Sequence, residues 1–271
     1  MSDGRFEGWY YKQRTGDYTL AFIPGRAGDG AFVQMIDSNG ARRFGMPDFH
    51  ARGDTIRTGD CVFSPYGLRV RLPGVEGELR YGKTTPLRSD IMGPFSRLPM
   101  QCSHGVVSMN HTVDGCITVD GTPHFFDKGS GYAEKDRGRS FPRSYRWVQC
   151  NDFPVSCSLF LSEAHIPFLG FSFTGCICAV LYRGKEYRLA TYRGVKILET
   201  DSERILLRQG NLSLELTVRP LSAGHSLKAP LSGKMTETIR ESCDAFLHLR
   251  LTERGCTVVE CESVHAAYEK R

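Results

Sequence analysis

The sequence predicts an all-β protein built from antiparallel strands. Apolar and polar residues alternate along most of the chain, for example over Gly67–Leu72 and Asn211–Val218, and this period of two is typical of half-buried strands. Short glycine-bearing turns indicate hairpins within Leu181–Tyr187, Leu207–Ser213 and Leu251–Thr257. Helical periods are scarce. Because closed sheets leave few unpaired edges, the hairpins and 29 glycines favour barrels or strongly curved sheets with few short helices.

The composition limits the class of protein. The 271 residues are 40% hydrophobic, enough to bury a core, which excludes disordered, collagen-like and coiled-coil chains. A formal charge of +5 is too weak a bias to predict a nucleic-acid partner. The first residues contain no apolar segment for export, so we expect the 10 cysteines to be reduced in a soluble, cytoplasmic protein.

The middle of the chain predicts a division into two β domains. Residues Pro86–Phe126 are rich in Gly, Pro, Ser and His and contain few clear strands, so they could connect a domain at 1–125 to one at 126–271. Each domain would have the size of a small eight-stranded barrel, whose interior can hold one elongated apolar ligand.

The longest uncharged stretch is Ile166–Tyr182. Its length approaches that of a membrane span, but Pro167, Gly170 and Gly175 interrupt it, so it predicts a buried loop and strand. Peripheral contact of this stretch with a membrane is a second interpretation.

The most unusual segment is Gly129–Pro142, in which acidic and basic residues alternate between small ones. If it is extended, Tyr132, Glu134 and Asp136 lie on one face of the strand, and Lys135 and Arg137 on the other. Burial favours the protonated form of a carboxyl group, and a neighbouring carboxylate favours it further. Glu134 is therefore a candidate proton donor; a surface loop with solvated ion pairs is the alternative.

Two further segments carry candidate binding residues. Tyr145, Trp147, Gln149 and Asn151 alternate, so one strand face would present two aromatic rings and two amides. An aromatic face stabilises a cation by about 0.5 to 2 kcal/mol when water is excluded, although Trp147 could equally fill the core. The N-terminal segment Phe6–Tyr11 combines four aromatic residues with a carboxylate, for which core packing is the simpler interpretation.

Metal and cofactor signals are weak. Donor residues occur at Cys102, His104, His111 and Cys116, but their spacing matches no common zinc arrangement, so we predict no metal. The sequence contains no GxSxG, Walker A, GxGxxG or HExxH motif, and we predict no cofactor.

The order and spacing of five motifs resemble the tocopherol cyclase family. They are Phe6–Tyr11, Gly131–Pro142, Trp147–Asn151, Lys228–Pro230 and Arg240–Cys243, and they extend over nearly the whole chain. The resemblance implies two lipocalin-like β domains with a ligand site between or within them, as in the related carotenoid hydratases and lipocalin-like cycloaddition enzymes.

The resemblance also implies roles for individual residues. Relatives carry a Tyr-x-Asp pair, linked to alkene protonation, where this chain has Tyr132-Ala-Glu134, so Glu134 would be the acid and Tyr132 or Lys135 would tune it. Asp136 completes the predicted catalytic group. The predicted substrate-binding residues are Glu7, Trp9, Tyr10, His104, Arg137, Trp147, Gln149 and Asn151. Of these, the two tryptophans would face a cation and the two amides would hold quinol hydroxyls. Arg137 departs from the family pattern, which usually has Trp there, and this puts the substrate in doubt.

Three functions fit this pattern. The first is cofactor-free closure of a chromanol ring, in which the phenol of a prenylated hydroquinone adds to the first double bond of its isoprenoid tail. The second is a carrier that shields an apolar quinone or isoprenoid without reaction. The third is hydration or cycloaddition of another polyene. Each implies an apolar small-molecule partner and no nucleic acid; the oligomeric state is not predicted.

Overall fold

The computed structural model describes residues 4–168, 170–201 and 203–271 and consists mainly of antiparallel strands. Eleven strands form the first sheet. Their bounds are β1 Phe6–Thr15, β2 Tyr18–Ala27, β3 Gly30–Asp37, β4 Gly40–Met46, β5 His50–Arg52, β6 Thr55–Thr58, β7 Cys61–Ser64, β8 Gly67–Leu72, β9 Val75–Tyr81, β10 Cys102–Val119 and β11 Thr122–Gly138.

The first sheet is curled. Its strand order is β4-β3-β2-β1-β11-β10-β9-β8-β7-β6-β5, so β4 and β5 are the two edges. A flat sheet of this size would hold its edges roughly 48 Å apart at about 4.8 Å per strand. Only residues 47–49 connect β4 to β5, and such a connection spans at most about 14 Å. The sheet must therefore roll until its edges approach each other.

The second sheet repeats this plan. Its strands are β12 Tyr145–Cys150, β13 Cys157–Phe168, β14 Phe171–Tyr182, β15 Lys185–Ala190, β16 Lys196–Thr200, β17 Arg204–Gln209, β18 Leu212–Pro220, β19 His225–Leu231, β20 Lys234–Glu253 and β21 Cys256–Lys270. The order β15-β14-β13-β12-β21-β20-β18-β17-β16 again places its edges on consecutive strands, and β19 pairs with β20 beside this path. The predicted all-β class with curved, lipocalin-like antiparallel sheets is confirmed.

Helices are few and short, as predicted. Within the described residues they are the 3-10 helices Gly93–Arg97 and Thr191–Arg193. None of the helices described is long and apolar enough to cross a membrane. The three predicted hairpins are β14–β15, β17–β18 and β20–β21.

Two compact units divide the chain by their contacts. One contains residues 1–87, 102–141 and 227–238, and the other contains 88–101, 142–226 and 239–271. The division at 125 and 126 stays a prediction; strand β11 runs through that position.

The segment Pro86–Phe126 contains more strand than its composition predicts. It holds all of β10 and the start of β11, whereas the part without strands is limited to residues 86–101 and 120–121. Glycine and serine are poor strand formers on average, but here they lie in a long strand whose register shifts at three places, where small residues accommodate the irregularity.

The stretch Ile166–Tyr182 forms the end of β13 and most of β14. Cys176 and Cys178 are buried in the core of their unit, as predicted for this stretch. Phe171, however, is 80% exposed, so the prediction of burial was wrong for that part of the stretch. Leu169 lies outside the described residues.

Each unit has its own apolar core. In the first, alternate residues of β1 to β3, including Trp9, Tyr11 and Phe22, pack against apolar side chains of β6 to β11. In the second, Val148 and Cys150 of β12 pack with residues of β13 to β21. The central strands β1, β11 and β12 also bury side chains on their opposite faces, among them the candidate site residues Tyr10, Tyr132, Glu134, Trp147 and Gln149.

Candidate active site

The pairing of β1 with β11 positions the acidic motif. The two strands pair without a register shift from Phe6 opposite Gly138 to Arg14 opposite Ser130, which places Tyr10 opposite Glu134. Because side chains alternate between faces, Tyr132, Glu134 and Asp136 lie on the face away from the core, together with Tyr10. This is the shared face that the alternation predicts.

A hydrogen-bonded acid group occupies this face. The Tyr132 hydroxyl donates to Glu134 Oε2 at 2.5 Å. His104, which lies opposite Asp136 on β10, places its Nδ1 2.8 Å from Asp136 Oδ1 and its Nε2 3.3 Å from Glu134 Oε2. Tyr132 and Glu134 are buried, and the side chain of His104 is only 12% exposed. One imidazole thus lies between two carboxylates in a nearly dry environment.

Electrostatics fixes the protonation of His104 and Tyr132. Burial alone lowers the pKa of His104, but the charges of Asp136 and Glu134 outweigh burial and raise this pKa well above 6.5. His104 is therefore an imidazolium at neutral pH. Burial, and then the Glu134 charge, raise the pKa of Tyr132 well above 10, so its hydroxyl keeps its proton and donates it to the Glu134 hydrogen bond. One proton source, the His104 imidazolium, and one hydrogen-bond donor, the Tyr132 hydroxyl, thus adjoin one carboxylate.

His104, Glu134 and Asp136 could also be considered as metal ligands, because one donor atom of each lies within 4.8 Å of the others. A single ion would need one ring nitrogen and both carboxylates to converge on it. Here the two carboxylates contact different nitrogens on opposite edges of the ring. This arrangement suits a doubly paired imidazolium better than a metal ligand set.

Two neighbours of this group were not predicted as site residues, although Cys102 was considered as a metal donor. Cys102 Sγ lies 3.5 Å from Asp136 Oδ1, and burial, followed by the Asp136 charge, raises the pKa of this thiol well above 9. Lys12 is 1% exposed and lies opposite Tyr132 in the pairing of β1 with β11. The sequence could have identified Lys12 as a neighbour, because it follows Tyr10 by two residues and side chains at that spacing occupy the same strand face.

The structure does not bring Trp9 or Lys135 to Glu134. They lie opposite each other on the core-facing side of the sheet, one strand position away from the acid group. Trp9 Nε1 donates to Asp54 Oδ1 at 3.3 Å, and Lys135 Nζ lies 2.6 Å from the same oxygen. Unbroken alternation along β1 and β11 explains this separation, and Lys135, one of the two residues expected to tune Glu134, contacts Asp54 instead.

Glu7 lies opposite Arg137 in the pairing of β1 with β11, on the same side of the sheet as Trp9. Glu7 Oε1 lies 2.6 Å from the Arg26 guanidinium, and Arg137 is exposed. The departure from the family pattern at Arg137 therefore lies on the face opposite Glu134.

The remaining predicted residues belong to β12 and its end. Trp147 and Gln149 are buried on the face of β12 opposite the core residues Val148 and Cys150. Gln149 Nε2 donates to Asn151 Oδ1 at 3.1 Å, so the two predicted amides do meet. That these residues join Glu134 in one site stays a prediction.

Comparison with known proteins identifies the family. The model of tocopherol cyclase-like proteins matches residues 74–270, more than half of the chain, including His104, Tyr132 and Glu134. The chain belongs to the tocopherol cyclase-like family. The resemblance stated from the motifs is thereby confirmed.

Two plant members of this family are similar in sequence. The protein of Oryza sativa subsp. japonica named "Probable tocopherol cyclase, chloroplastic" is 24% identical over 205 residues, which cover 70% of this chain and 44% of that protein. "Tocopherol cyclase, chloroplastic" of Zea mays is 25% identical over 170 residues, covering 57% of this chain and 36% of the relative. The chain matches less than half the length of either.

Solved structures share the fold. The crystal structure of CghA with Sch210972 covers 98% of this chain and 88% of its own, with a TM-score of 0.64 and 11% identity. Kievitone hydratase from Nectria haematococca covers the same shares with a TM-score of 0.56 and 10% identity. At such identities the likeness concerns the fold alone.

Proposed function

We propose that this tocopherol cyclase-like chain is a cofactor-free enzyme that protonates an isoprenoid double bond and closes a chromanol ring on a prenylated hydroquinone. The observation that carries the proposal is the buried group in which Glu134 accepts a hydrogen bond from Tyr132 and adjoins the His104 imidazolium. The names of the plant relatives support the choice of reaction.

The reaction needs an acid and an internal nucleophile. A proton delivered through Glu134 forms a C–H bond at the less substituted alkene carbon, and the other carbon becomes a tertiary cation. The phenol oxygen of the same molecule then forms the C–O bond, and its proton returns to the acid group. Atoms and electrons balance without a redox partner, so substrate and product are isomers.

Three residues control the acid. His104 is the proton source, because it is charged at neutral pH beside the Glu134 carboxylate, and its proton reaches the substrate through Glu134. Asp136 is a positioning residue that holds the other ring nitrogen at 2.8 Å and stabilises the charge. Tyr132 orients the Glu134 carboxyl. Together they place a proton in a site from which water is largely excluded, where general acid catalysis contributes about 10² to 10⁴ in rate.

The substrate-binding part of the proposal rests on Tyr10, in the unit that holds the acid group, while the roles of Trp147, Gln149 and Asn151 in the other unit stay predictions. The Tyr10 ring lies 6.5 Å from that of Tyr132, beside the acid group. Trp147 would shield the cation, and Gln149 and Asn151 would hold the quinol hydroxyls. The isoprenoid tail makes the partner an apolar small molecule.

The test is anaerobic incubation with a panel of prenylated hydroquinones, with chromatography against authentic chromanols. Glu134→Gln keeps the size of the side chain and removes its acid, so we expect chromanol formation to fall by about 10² to 10⁴. Glu76→Gln is the matched control, because Glu76 is an exposed carboxylate on β9. Quinols that bind to the wild type and return unchanged would contradict the enzyme and favour a carrier. Full activity of Glu134→Gln would contradict the proposed acid.

A further inference from the structure

The hairpin β13–β14 extends beyond the strands that flank it. The two strands pair with each other from Cys157 and Tyr182 to Phe168 and Phe171. Pairing of β13 with β12 ends at Ala164, and pairing of β14 with β15 begins at Ile177. The end of the hairpin is therefore a narrow two-stranded ribbon that continues past its sheet.

This ribbon is apolar and uncharged at its end. Residues 164–182 include no Asp, Glu, Lys or Arg. Phe171 is 80% exposed, and Phe173, on the same strand face, is half-buried with its ring 6.2 Å from that of Phe95 in the 3-10 helix Gly93–Arg97. Leu98, just after that helix, is 40% exposed. We call Phe95, Leu98, Phe171 and Phe173 the aromatic tip.

Exposed basic residues flank the aromatic tip. Arg97 is exposed and belongs to the same 3-10 helix as Phe95. Arg193 lies with its guanidinium 6.0 Å from the Tyr192 ring, which in turn lies 6.0 Å from the Phe95 ring.

Two acidic residues near the aromatic tip have a hydrogen-bond or ion-pair partner. The Asp90 carboxylate accepts the Met92 backbone N–H at 2.8 Å, and Glu186 is paired with Arg188 at 2.7 Å. The three arginines Arg97, Arg188 and Arg193 outnumber these two acids, so the charges beside the tip sum to a positive value.

We propose that the aromatic tip is a membrane-contact element that inserts into the headgroup region of a bilayer containing anionic lipid. Aromatic and aliphatic side chains enter the boundary between headgroups and acyl chains, while arginines remain with the phosphates. A stable protein–protein interface buries about 800 Å² of surface on each partner, which is more than the end of a ribbon two strands wide offers. The consequence for catalysis rests on the proposed function, since a prenylated quinol dissolves in bilayers.

The binding experiment uses the full chain and lipid vesicles without quinol. We expect the wild type to float with phosphatidylcholine vesicles containing one third phosphatidylglycerol and to bind pure phosphatidylcholine more weakly. Phe171→Asp should lower the partition coefficient about tenfold or more, because a large apolar side chain leaves the lipid. Tyr66→Asp is the matched control, since Tyr66 is an 81% exposed aromatic residue in the other unit. Arg97→Glu should weaken binding about fivefold, only to vesicles with anionic lipid.

The outcomes separate this proposal from the enzymatic one. A wild type that stays unbound to both vesicle types, or a Phe171→Asp variant that floats as well as Tyr66→Asp, would overturn the membrane contact. Light scattering that shows a dimer broken by Phe171→Asp would instead identify a second copy as the occupant and also overturn it. Chromanol formation from detergent-dispersed quinol should be unchanged in Phe171→Asp, whereas formation from vesicle-embedded quinol should fall. Absence of chromanol in both assays would contradict the proposed function and leave the flotation result intact.

Discussion

Two histidines on β10 with little solvent exposure have opposite electrostatic states. His104 lies opposite Asp136 and is held between two carboxylates, which raise its pKa. His111 lies opposite Gly131 on the core-facing side, where burial alone lowers its pKa to about 4. Its Nδ1 lies 3.0 Å from Ser108 Oγ and its ring packs 4.4 Å from that of Tyr81.

The comparison shows what distinguishes a proton donor from a packed histidine. Burial is common to both residues and disfavours the charged ring in both. The carboxylates of Asp136 and Glu134 keep the ring of His104 charged. Glu134 is also close enough to His104 to exchange a proton with it. The charged face of the strand is therefore the candidate site, and the face of His111 is core.

The largest expected effect is on activity. His104→Gln removes the cationic partner of Glu134, and we expect kcat for chromanol formation to fall by about 100-fold, or roughly 2.7 kcal/mol, with a small change in KM. His111→Gln on the same strand should stay within about threefold of the wild type. Steady-state kinetics of the two variants, with circular dichroism to verify folding, measures the contrast; equal losses in both would break it.

The second effect is on stability and depends on pH. The pKa of His111 is lower in the folded than in the unfolded state, so the unfolded state binds more protons and stability falls as pH drops from about 6.5 toward 4. Between pH 7 and pH 5 this one group should reduce the free energy of unfolding by about 2 kcal/mol.

Urea denaturation at both pH values checks this prediction. His111→Gln should lose less stability on acidification than the wild type by that amount. His104→Gln should behave in the opposite sense. The raised pKa of His104 in the folded state stabilises the folded protein. This stabilisation is complete below about pH 6.5 and is lost as pH rises through the folded-state pKa.

The smallest effect concerns Asp136. Asp136→Asn keeps a hydrogen-bond acceptor for His104 but removes its charge, which lowers the pKa of His104. Activity should therefore decline at a lower pH than in the wild type, with about a tenfold deficit on the alkaline side and little loss at acidic pH. A pH–rate profile combined with NMR titration of the His104 ring tests this. An unchanged profile would exclude Asp136 as a positioning residue.

Much of the fold could be predicted because strand alternation is local. The hairpin at Arg183-Gly184 follows from residues that adopt positive φ, and the shared face of Tyr132, Glu134 and Asp136 follows from a period of two. The order of strands depends on pairing across the chain, and so does the curl of each sheet. The common plan of the two sheets is consequently visible in their topology and not as a sequence repeat.

Only part of the candidate site could be predicted by the same reasoning. Alternation placed Lys135 and Glu134 on opposite faces, whereas the resemblance to the family had suggested that Lys135 could tune Glu134. His104 was a candidate for substrate binding, and its place between two carboxylates depends on the register of β10 with β11. That register includes shifts that no periodicity reveals, so the partners of His104 required the structure.

The central claim is that the group around Glu134 delivers a proton to an alkene carbon. The most direct test is incubation of the purified chain with a prenylated hydroquinone in D₂O, followed by mass spectrometry of the chromanol. The account predicts one non-exchangeable deuterium in the product from the wild type, on the carbon adjacent to the one that bears the new C–O bond. It predicts almost no product from Glu134→Gln. Chromanol without this deuterium, or labelled product formed at the wild-type rate by Glu134→Gln, would contradict it.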